Sequence, residues 1–102
     1  HGSVVIDTGV HVEIPEGYVG MLKSKSGLNV KHDLIGTGTI DSGYSGSIRV
    51  KLYNLGDTDY QILRGDKIIQ MVILPCGYCE FTQVEKFAET ERGNGGFGST
   101  GR

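Results

Sequence analysis

The segment from residue 92 to residue 102 carries side chains suited to binding a phosphorylated ligand. Five of the nine positions from Gly93 to Gly101 are glycine, and the only bulky apolar side chain among them is Phe97. Glycine N–H groups can approach phosphate oxygens closely, and the phenyl ring offers a flat face for stacking on a base. Hydroxyl and guanidinium donors to an anion come from Arg92, Ser99, Thr100 and Arg102. A nucleoside triphosphate meets all of these requirements at once.

A second chemical feature is a carboxylate within the glycine-rich stretch from Gly36 to Gly46. Gly36 and Gly38 permit close approach of a ligand to the backbone, and Asp41 stands three residues before Tyr44. A carboxylate at a strand end is ionised at neutral pH and can accept a proton from a water molecule. A turn-capping aspartate and a half-buried packing tyrosine are the alternative interpretations of the same two side chains.

Two further stretches suggest phosphate contacts. Lys25 and Ser26 place a cation and a hydroxyl ahead of a predicted helical turn, residues 26–31, whose first N–H groups point outward. Gln70 is a polar residue within an apolar strand, so we expect its side chain to face a partner or a cavity instead of the core. A solvated loop is the alternative interpretation of the lysine and the serine.

The elements that must position these residues are short strands. Apolar residues alternate with polar ones over residues 10–14 and again over residues 48–52, and residues 67–75 form a more continuously apolar run. Short strands separated by turn signals at intervals of about ten residues predict an all-β sandwich or barrel. We expect residues 1–87 to form this single domain. Because the apolar pattern stops at Ala88, we predict that residues 88–102 form a mobile arm unless a ligand or a neighbouring subunit holds them.

Length and charge exclude several classes of function. A chain of 102 residues builds one domain with a core that is small for its surface, so burial of further apolar area by oligomerisation is expected. A net charge of −2 argues against a nucleic-acid polymer as the partner, since such proteins normally carry a basic surface. The sequence has no apolar run long enough to cross a membrane, so no membrane association is expected.

The two cysteines do not form a recognisable functional site. Cys76 and Cys79 occur in the stretch Cys-Gly-Tyr-Cys, but a redox pair needs a thioredoxin-like setting and a structural zinc site needs two more ligands. We interpret both as inert, reduced thiols near a strand end. That chemistry fits a reducing cytoplasm, or the host cytoplasm for a viral protein.

Four stretches, taken in order, resemble the motifs of the trimeric deoxyuridine triphosphatase (dUTP pyrophosphatase) family over almost the whole chain. The family patterns are similar to P-R-S-G-L, G-x-I-D-x-x-Y-x-G, G-D-R-I-A-Q and R-G-x-G-G-F-G-S-T-G. The corresponding stretches here are Ser24–Leu28, Gly38–Gly46, Gly65–Gln70 and Arg92–Gly101. Each motif is weak by itself, whereas four in the same order, with the last nearly complete, are a specific signal.

The resemblance implies a small jelly-roll or β-clip-like barrel assembled as a homotrimer, with sites at subunit interfaces that arms from other subunits close. It also implies hydrolysis of dUTP to dUMP and pyrophosphate, which keeps uracil out of DNA and supplies dUMP. Asp41 would orient and deprotonate the water that attacks the α-phosphorus, and Tyr44 would lie against the deoxyribose. Main-chain groups of the hairpin would recognise uracil, with contacts at Gly36, Gly38 and Ile40.

The resemblance also assigns the remaining contacts. Phe97 would stack on uracil, and magnesium (Mg²⁺) would bridge the phosphate oxygens mainly through waters, without direct protein ligands. Contacts to the phosphates would come from Lys25, Ser26, Gly27, Gln70, Arg92, Gly98, Ser99 and Thr100.

Three positions depart from the family pattern. A motif similar to A-G-x-D-L is not found in these residues, since Asp7 lies too close to Ser26 to belong to it. Lys25 replaces an arginine, which keeps the charge but loses the bidentate fork. Gly43 stands where many relatives carry a second aspartate. The alternative functions are a non-catalytic nucleotide-sensing or regulatory protein on the same scaffold, and an enzyme similar to deoxycytidine triphosphate deaminase.

Overall fold

The computed structural model describes residues 1–86, which form an antiparallel sheet and a short helix. The strands lie in the order β1-β4-β3-β2-β5, and every neighbouring pair runs antiparallel. The predicted all-β class is therefore confirmed. The elements are β1 (Gly2–Asp7), β2 (Tyr18–Ser24), α1 (Ser26–His32), β3 (Leu34–Asp41), β4 (Arg49–Asn54) and β5 (Ile69–Pro75).

The alternation of apolar and polar residues predicted for residues 48–52 is seen in strand β4. On β4, Val50 and Leu52 are buried while Arg49 and Lys51 face solvent, because successive side chains of a strand point to opposite faces. These two apolar residues lie at the centre of the core, and Val50 is completely buried. The core cluster consists of Ile14, Leu22, Ile40, Ile48, Val50, Leu52 and Ile68.

Strand β3 changes its pairing partner part-way along its length. Its first residues pair with β4, in a ladder that ends at Gly36 opposite Leu52. From Thr37 onward the strand pairs with β2 instead, in a ladder that ends at Asp41 opposite Val19. One strand thus joins a ladder containing β1 and β4 to a ladder containing β2 and β5. A strand that serves two ladders is a common way to turn a corner in sandwiches and barrels.

Two strand predictions need correction. The alternation over residues 10–14 predicts a strand, but within the described residues this segment is not part of a ladder, so the prediction is wrong. The alternation gives the facing of the side chains over part of the segment only: Ile14 is buried and Glu13 is exposed, but Val10, on the same side of the pattern as Ile14, is 52% exposed. The predicted strand over residues 67–75 begins two residues later, at Ile69. Strand β1, which pairs with β4 from Gly2 opposite Asn54 onward, was not predicted.

The predicted helical turn is confirmed and is slightly longer than expected, ending at His32. Lys25 precedes it in an extended conformation, and Asp33 ends it in the left-handed region at a φ of 56°. The carbonyl of Asp33 accepts a hydrogen bond from the N–H of Leu55 (2.9 Å), which ties the end of the helix to the residue after β4. None of the helical structure within residues 1–86 has the length and apolar content of a membrane span.

Candidate functional site

The structure brings the predicted phosphate-binding residues of the β domain to one end of β2 and β5. Strand β2 ends at Ser24, and the helix begins directly after Lys25. In the β2–β5 ladder Lys23 lies opposite Gln70, whose side-chain Nε2 donates a hydrogen bond to the carbonyl of Ser24 (2.9 Å). Lys25 is half-buried, and the first helical residues, Ser26 and Gly27, are exposed. Lysine, hydroxyl and amide groups are therefore close together at a solvent-accessible turn.

The same end of the sheet contains a residue that the sequence analysis did not select. The hydroxyl of Ser24 donates to the carbonyl of Gly36 (3.1 Å), and the N–H of Gly36 donates back to the Ser24 oxygen (3.0 Å). The side chain of Ser24 thus bridges the strands just beyond the last residue pair of the β2–β3 ladder, Lys23 and Thr37. No local sequence signal marks this contact, because its two residues lie 12 positions apart.

Gly36 contacts the core instead of an open cleft. It is buried, and a Cβ atom added to it would lie 2.6 Å from Ile69 Cδ1 and 2.8 Å from Leu52 Cδ2. Both of its main-chain polar groups bond to Ser24. The prediction that a ligand approaches the Gly36 backbone is therefore not supported. The glycine is required by close packing of apolar side chains where β3 changes partner.

Beyond Gly36, one main-chain edge of β3 has no strand partner among residues 1–86, and we call it the free edge. Main-chain groups alternate between the two sides of a strand, and those of Gly36 face Ser24 on β2. The groups of Gly38 and Ile40 therefore also face β2, where their partners are Leu22 and Gly20. The groups of the residues between them face the other side, where β4 no longer pairs. This free edge belongs to Thr37 and Thr39, which the sequence analysis did not select.

Asp41 lies at the end of β3, as predicted, with an exposed side chain. Its carbonyl accepts a hydrogen bond from the N–H of Tyr44 (3.2 Å), which closes a four-residue turn. Gly43 has a φ of 87°, and Ser42 is not among the residues with positive φ, so the turn is of type II. The third position of such a turn strongly favours glycine. Gly43 is thus explained by backbone geometry at the position where relatives carry aspartate.

The ring of Tyr44 is fixed by the backbone that follows it. Its hydroxyl donates to the carbonyl of Ser47 (2.7 Å). A Cβ atom added to Gly46 would lie 2.6 Å from the Tyr44 hydroxyl oxygen and 2.8 Å from Cζ. The hydroxyl end of the ring therefore lies directly against a glycine, while the residue remains 45% exposed. An aromatic face that is held in place and open to solvent is suited to contact a sugar.

The two groups of candidate residues lie at opposite ends of β3. The Ser24 bridge is at Gly36, whereas the carboxylate is at Asp41, five residues further along the strand. At the rise of a β-strand, this separation is about 17 Å. The side chains of Gln70 and Asp41 therefore do not converge on one small ligand within a single copy of the chain.

A large open cavity lies elsewhere and has a volume of about 1280 Å³. It is an open groove between β1 and residues 60–69, and neither Asp41 nor Tyr44 lines it. Asp7 on its wall accepts hydrogen bonds from the Ser47 hydroxyl and from the N–H of Gly9 (3.1 Å). These bonds, the first in particular, lower the pKa of the Asp7 carboxyl. The cavity contains Lys25 at its margin but otherwise shares little with the candidate site.

Several predicted site residues lie outside the described part of the chain. These are the arm residues Arg92, Phe97, Gly98, Ser99 and Thr100. Within residues 1–86, no group of three or more histidine, cysteine or acidic side chains is arranged to hold a metal ion. In the same range Cys76 and Cys79 are free thiols, the first half-buried and the second exposed.

Comparison with known proteins gives consistent matches. The family model described as dUTPase matches residues 1–101. The deoxyuridine 5'-triphosphate nucleotidohydrolase of Anaplasma marginale is 46% identical over 103 residues, covering 98% of this chain and 70% of the relative.

Two solved structures extend the comparison to the fold. A dUTPase from phage phi11 of S. aureus matches with a TM-score of 0.78 at 36% identity, covering 86% of this chain and 75% of that one. The dUTPase of Staphylococcus bacteriophage 80alpha, solved with dUPNHPP, matches with a TM-score of 0.71 at 31% identity, covering 99% and 82% of the two chains.

Proposed function

Because this chain belongs to the dUTPase family, we propose that it hydrolyses dUTP to dUMP and pyrophosphate at sites assembled between copies of the chain. Removal of dUTP keeps uracil out of DNA and supplies dUMP. The observation that carries the proposal is the family match over residues 1–101, combined with an exposed carboxylate, Asp41, at the turn that ends β3.

Asp41 supplies the base of the reaction. Its carboxylate orients a water molecule and takes its proton as the water oxygen attacks the α-phosphorus. A new bond forms between this oxygen and phosphorus, while the bond from phosphorus to the bridging oxygen breaks and pyrophosphate leaves. The type II turn supports this role because it fixes the Asp41 backbone and leaves the side chain exposed.

The base and the sugar bind along the hairpin. The free main-chain edge at Thr37 and Thr39 offers N–H and C=O groups at strand spacing, which can pair with the polar edge of uracil. Gly38 and Ile40 lie between and beside these residues and shape the floor of the pocket. The ring of Tyr44, held against Gly46, covers the deoxyribose and leaves no room for a 2'-hydroxyl.

The phosphates bind at the other end of the sheet, in the site of a neighbouring copy. Lys25 contributes a point charge, Ser26 a hydroxyl and Gln70 an amide, and the N–H of Gly27 adds a donor at the start of the helix. We assign the remaining contacts to the arm, residues 88–102, which lies outside the described residues. In that assignment Phe97 stacks on uracil, and Arg92, Gly98, Ser99 and Thr100 close over the β- and γ-phosphates.

Mg²⁺ is the cofactor. Lys25, Ser26 and Gln70 at the phosphate turn supply a cation, a hydroxyl and an amide, so this donor set fits an ion that arrives with the substrate and is held through phosphates and waters, without direct protein ligands. Magnesium is typically held by substrate phosphates, waters and one or two carboxylates. When bound, it neutralises phosphate charge as the α-phosphorus is attacked.

A homotrimer with interfacial sites accounts for the separation of the two groups. The Asp41 turn and the Ser24 bridge at Gly36 lie about 17 Å apart along β3, so a complete site needs the Asp41 turn of one copy and the phosphate turn of another. Strand β5 also exposes apolar side chains on both of its faces, Val72 and Leu74 on one and Ile73 on the other, each at least 40% exposed. Exposed apolar side chains on both faces of a strand leave area that a neighbouring copy can cover. The number of copies, three, is taken from the family resemblance.

The compartment we propose is the cytoplasm, or the host cytoplasm for a viral source, since free thiols at Cys76 and Cys79 suit a reducing environment. A nucleic-acid polymer and a membrane are not proposed as partners. The two alternative functions, a non-catalytic sensor and a deaminase, are not favoured, because the relatives found are dUTP nucleotidohydrolases.

The test is substrate-resolved product analysis of the purified chain with Mg²⁺. We expect stoichiometric dUMP and pyrophosphate from dUTP, and much slower release from UTP, dCTP and dTTP. Ammonia from dCTP would instead identify a deaminase. Binding of a non-hydrolysable dUTP analogue without any turnover of dUTP would identify a sensor and overturn the proposal.

A further inference from the structure

We propose that Ser24 is a positioning residue that joins the phosphate-binding turn to the base-reading hairpin within each copy of the chain. The inference rests on the proposed function, because it assigns a role in binding dUTP. The position is notable since Ser24 stands where the family pattern carries proline, which has no side-chain hydroxyl to donate or accept.

Ser24 is bonded in both directions across the sheet. Its hydroxyl donates to the carbonyl of Gly36 and accepts from the Gly36 N–H, at 3.1 and 3.0 Å. Its carbonyl accepts from Nε2 of Gln70 at 2.9 Å. Three strands, β3, β2 and β5, are therefore connected through a single residue at the end where the helix begins.

The hydroxyl holds β3 against β2 at the residue where β3 stops pairing with β4. The β2–β3 ladder has its last pair at Lys23 and Thr37, and the β3–β4 ladder has its last pair at Gly36 and Leu52. At the next position the Ser24 side chain takes the place of a main-chain partner for Gly36. Because Gly36 is buried, water has poor access to replace these two bonds. The position of the free edge, which begins at the next residue, Thr37, on the opposite side of β3, thus depends on the Ser24 hydroxyl.

Loss of the hydroxyl should weaken binding without slowing the chemical step. The base-reading edge begins next to Gly36, and the phosphate turn begins next to Ser24, so both binding elements would lose a fixed position. Asp41 lies about 17 Å away along β3 and is held by its own turn. A change that removes binding shared by ground state and transition state raises KM and leaves kcat unchanged.

The experiment compares Ser24→Ala and Ser24→Thr with a matched control, Thr8→Ala, all in the full chain. The Thr8 hydroxyl also bridges two main-chain groups, since it donates to the Ile48 carbonyl (2.7 Å) and accepts from the Val10 N–H (3.1 Å). Thr8 lies outside the proposed site. Thr8→Ala therefore removes a comparable bridge without displacing the phosphate turn or the base-reading edge. The readouts are KM and kcat for dUTP, the dissociation constant of a non-hydrolysable dUTP analogue, and the thermal midpoint.

We expect Ser24→Ala to raise KM and the analogue dissociation constant about tenfold, with kcat within about twofold of the parent. Ser24→Thr should restore both values, and Thr8→Ala should lower the thermal midpoint without changing KM. An unchanged KM in a folded Ser24→Ala protein, or an equal rise in Thr8→Ala, would overturn the role of Ser24. A failure of the proposed function would look different, because the parent chain itself would then not release pyrophosphate from dUTP. Analogue binding still tests Ser24 in that case.

Discussion

At the Gly36 end of β3, bonds from Ser24 and close contacts from Ile69 and Leu52 hold the strand inside its own protomer. At the Asp41 end, the chain is held by a four-residue turn and by the Tyr44 contact to the Ser47 carbonyl, and its side chains remain exposed. One end is completed by the core, and the other is shaped locally and left open. The difference fits the proposed site, in which the Asp41 end of β3 faces a neighbouring copy of the chain.

Asp41→Asn should give the largest effect, because it removes the base at the open end without altering the turn. The turn bond involves the Asp41 carbonyl, which the substitution keeps. We expect kcat to fall about 10³-fold, within the range of general-base catalysis, while affinity for a non-hydrolysable dUTP analogue stays the same. Rate and affinity are measured by pyrophosphate release and calorimetry. Equal activity in the variant would remove Asp41 from the mechanism.

A mixing experiment tests whether the two ends of β3 contribute to sites in different copies of the chain. If Asp41 of one copy and Lys25 of another form each site, an Asp41→Asn chain and a Lys25→Ala chain can complement each other. In randomly mixed trimers, about a quarter of the sites would contain both intact residues, because each interface pairs two different surfaces. We expect refolded mixtures to recover about that fraction of the parent rate. Mixtures that stay as inactive as the separate variants would place both residues in one copy.

The contrast between the two ends also shows what sequence patterns can and cannot predict. The turn at Asp41 and the alternation of Val50 and Leu52 are local, so spacing alone predicts them. The motif resemblance predicts the family for the same reason, since each motif is a short run of residues. The bridge between Ser24 and Gly36 joins two strands and leaves no mark in either local segment.

The two fold errors have the same origin. Alternation over residues 10–14 marks Ile14 as facing the core, but it shows neither that Val10 is exposed nor whether a neighbouring strand is present to complete a ladder. Strand β1 is the converse case: it exists because β4 offers a partner more than 40 residues away in the chain. Gly36 shows why a binding site is harder to predict from sequence than a strand. Glycine is required both where a ligand approaches the backbone and where core side chains do, so the residue type does not distinguish the two.

Gly46→Ala tests the open end of β3, because it disturbs the orientation of the Tyr44 ring without removing a side chain that contacts the substrate. The new methyl group would overlap the Tyr44 ring, which must then leave the glycine surface. We expect the preference for dUTP over UTP to fall about tenfold, the size of a lost positioning contact. Tyr44→Phe is the matched control, because it removes only the bond to the Ser47 carbonyl. An unchanged preference for dUTP over UTP in Gly46→Ala would show that the position of the Tyr44 ring does not select the sugar.

Gly36→Ala tests the closed end, where the expected effect is on stability. Its Cβ would meet Ile69 Cδ1 and Leu52 Cδ2 at less than 3 Å, and overpacking of this kind costs about 1–3 kcal/mol. Gly38→Ala is the matched control, since its nearest neighbour, Leu22 Cδ1, is 3.0 Å away. Urea unfolding should show a clearly larger loss for the first variant. Equal losses would mean that the core at Gly36 adapts as easily as the pocket floor.

Asp7 gives the smallest effect and concerns a contact that lies outside both ends of β3. Bonds from the Ser47 hydroxyl and the Gly9 N–H lower the pKa of this carboxyl below its ordinary value of 3.8. A lowered folded-state pKa contributes stability that is present above 3.8 and is lost as the pH falls through the lower folded value. The carboxyl is exposed, so solvent screens the effect. Asp7→Asn should therefore leave unfolding near pH 7 slightly easier and flatten its dependence on pH below 4, and Ser47→Ala should reproduce part of that change. Parallel pH curves for Asp7→Asn and the parent would show that the contact does not stabilise the fold.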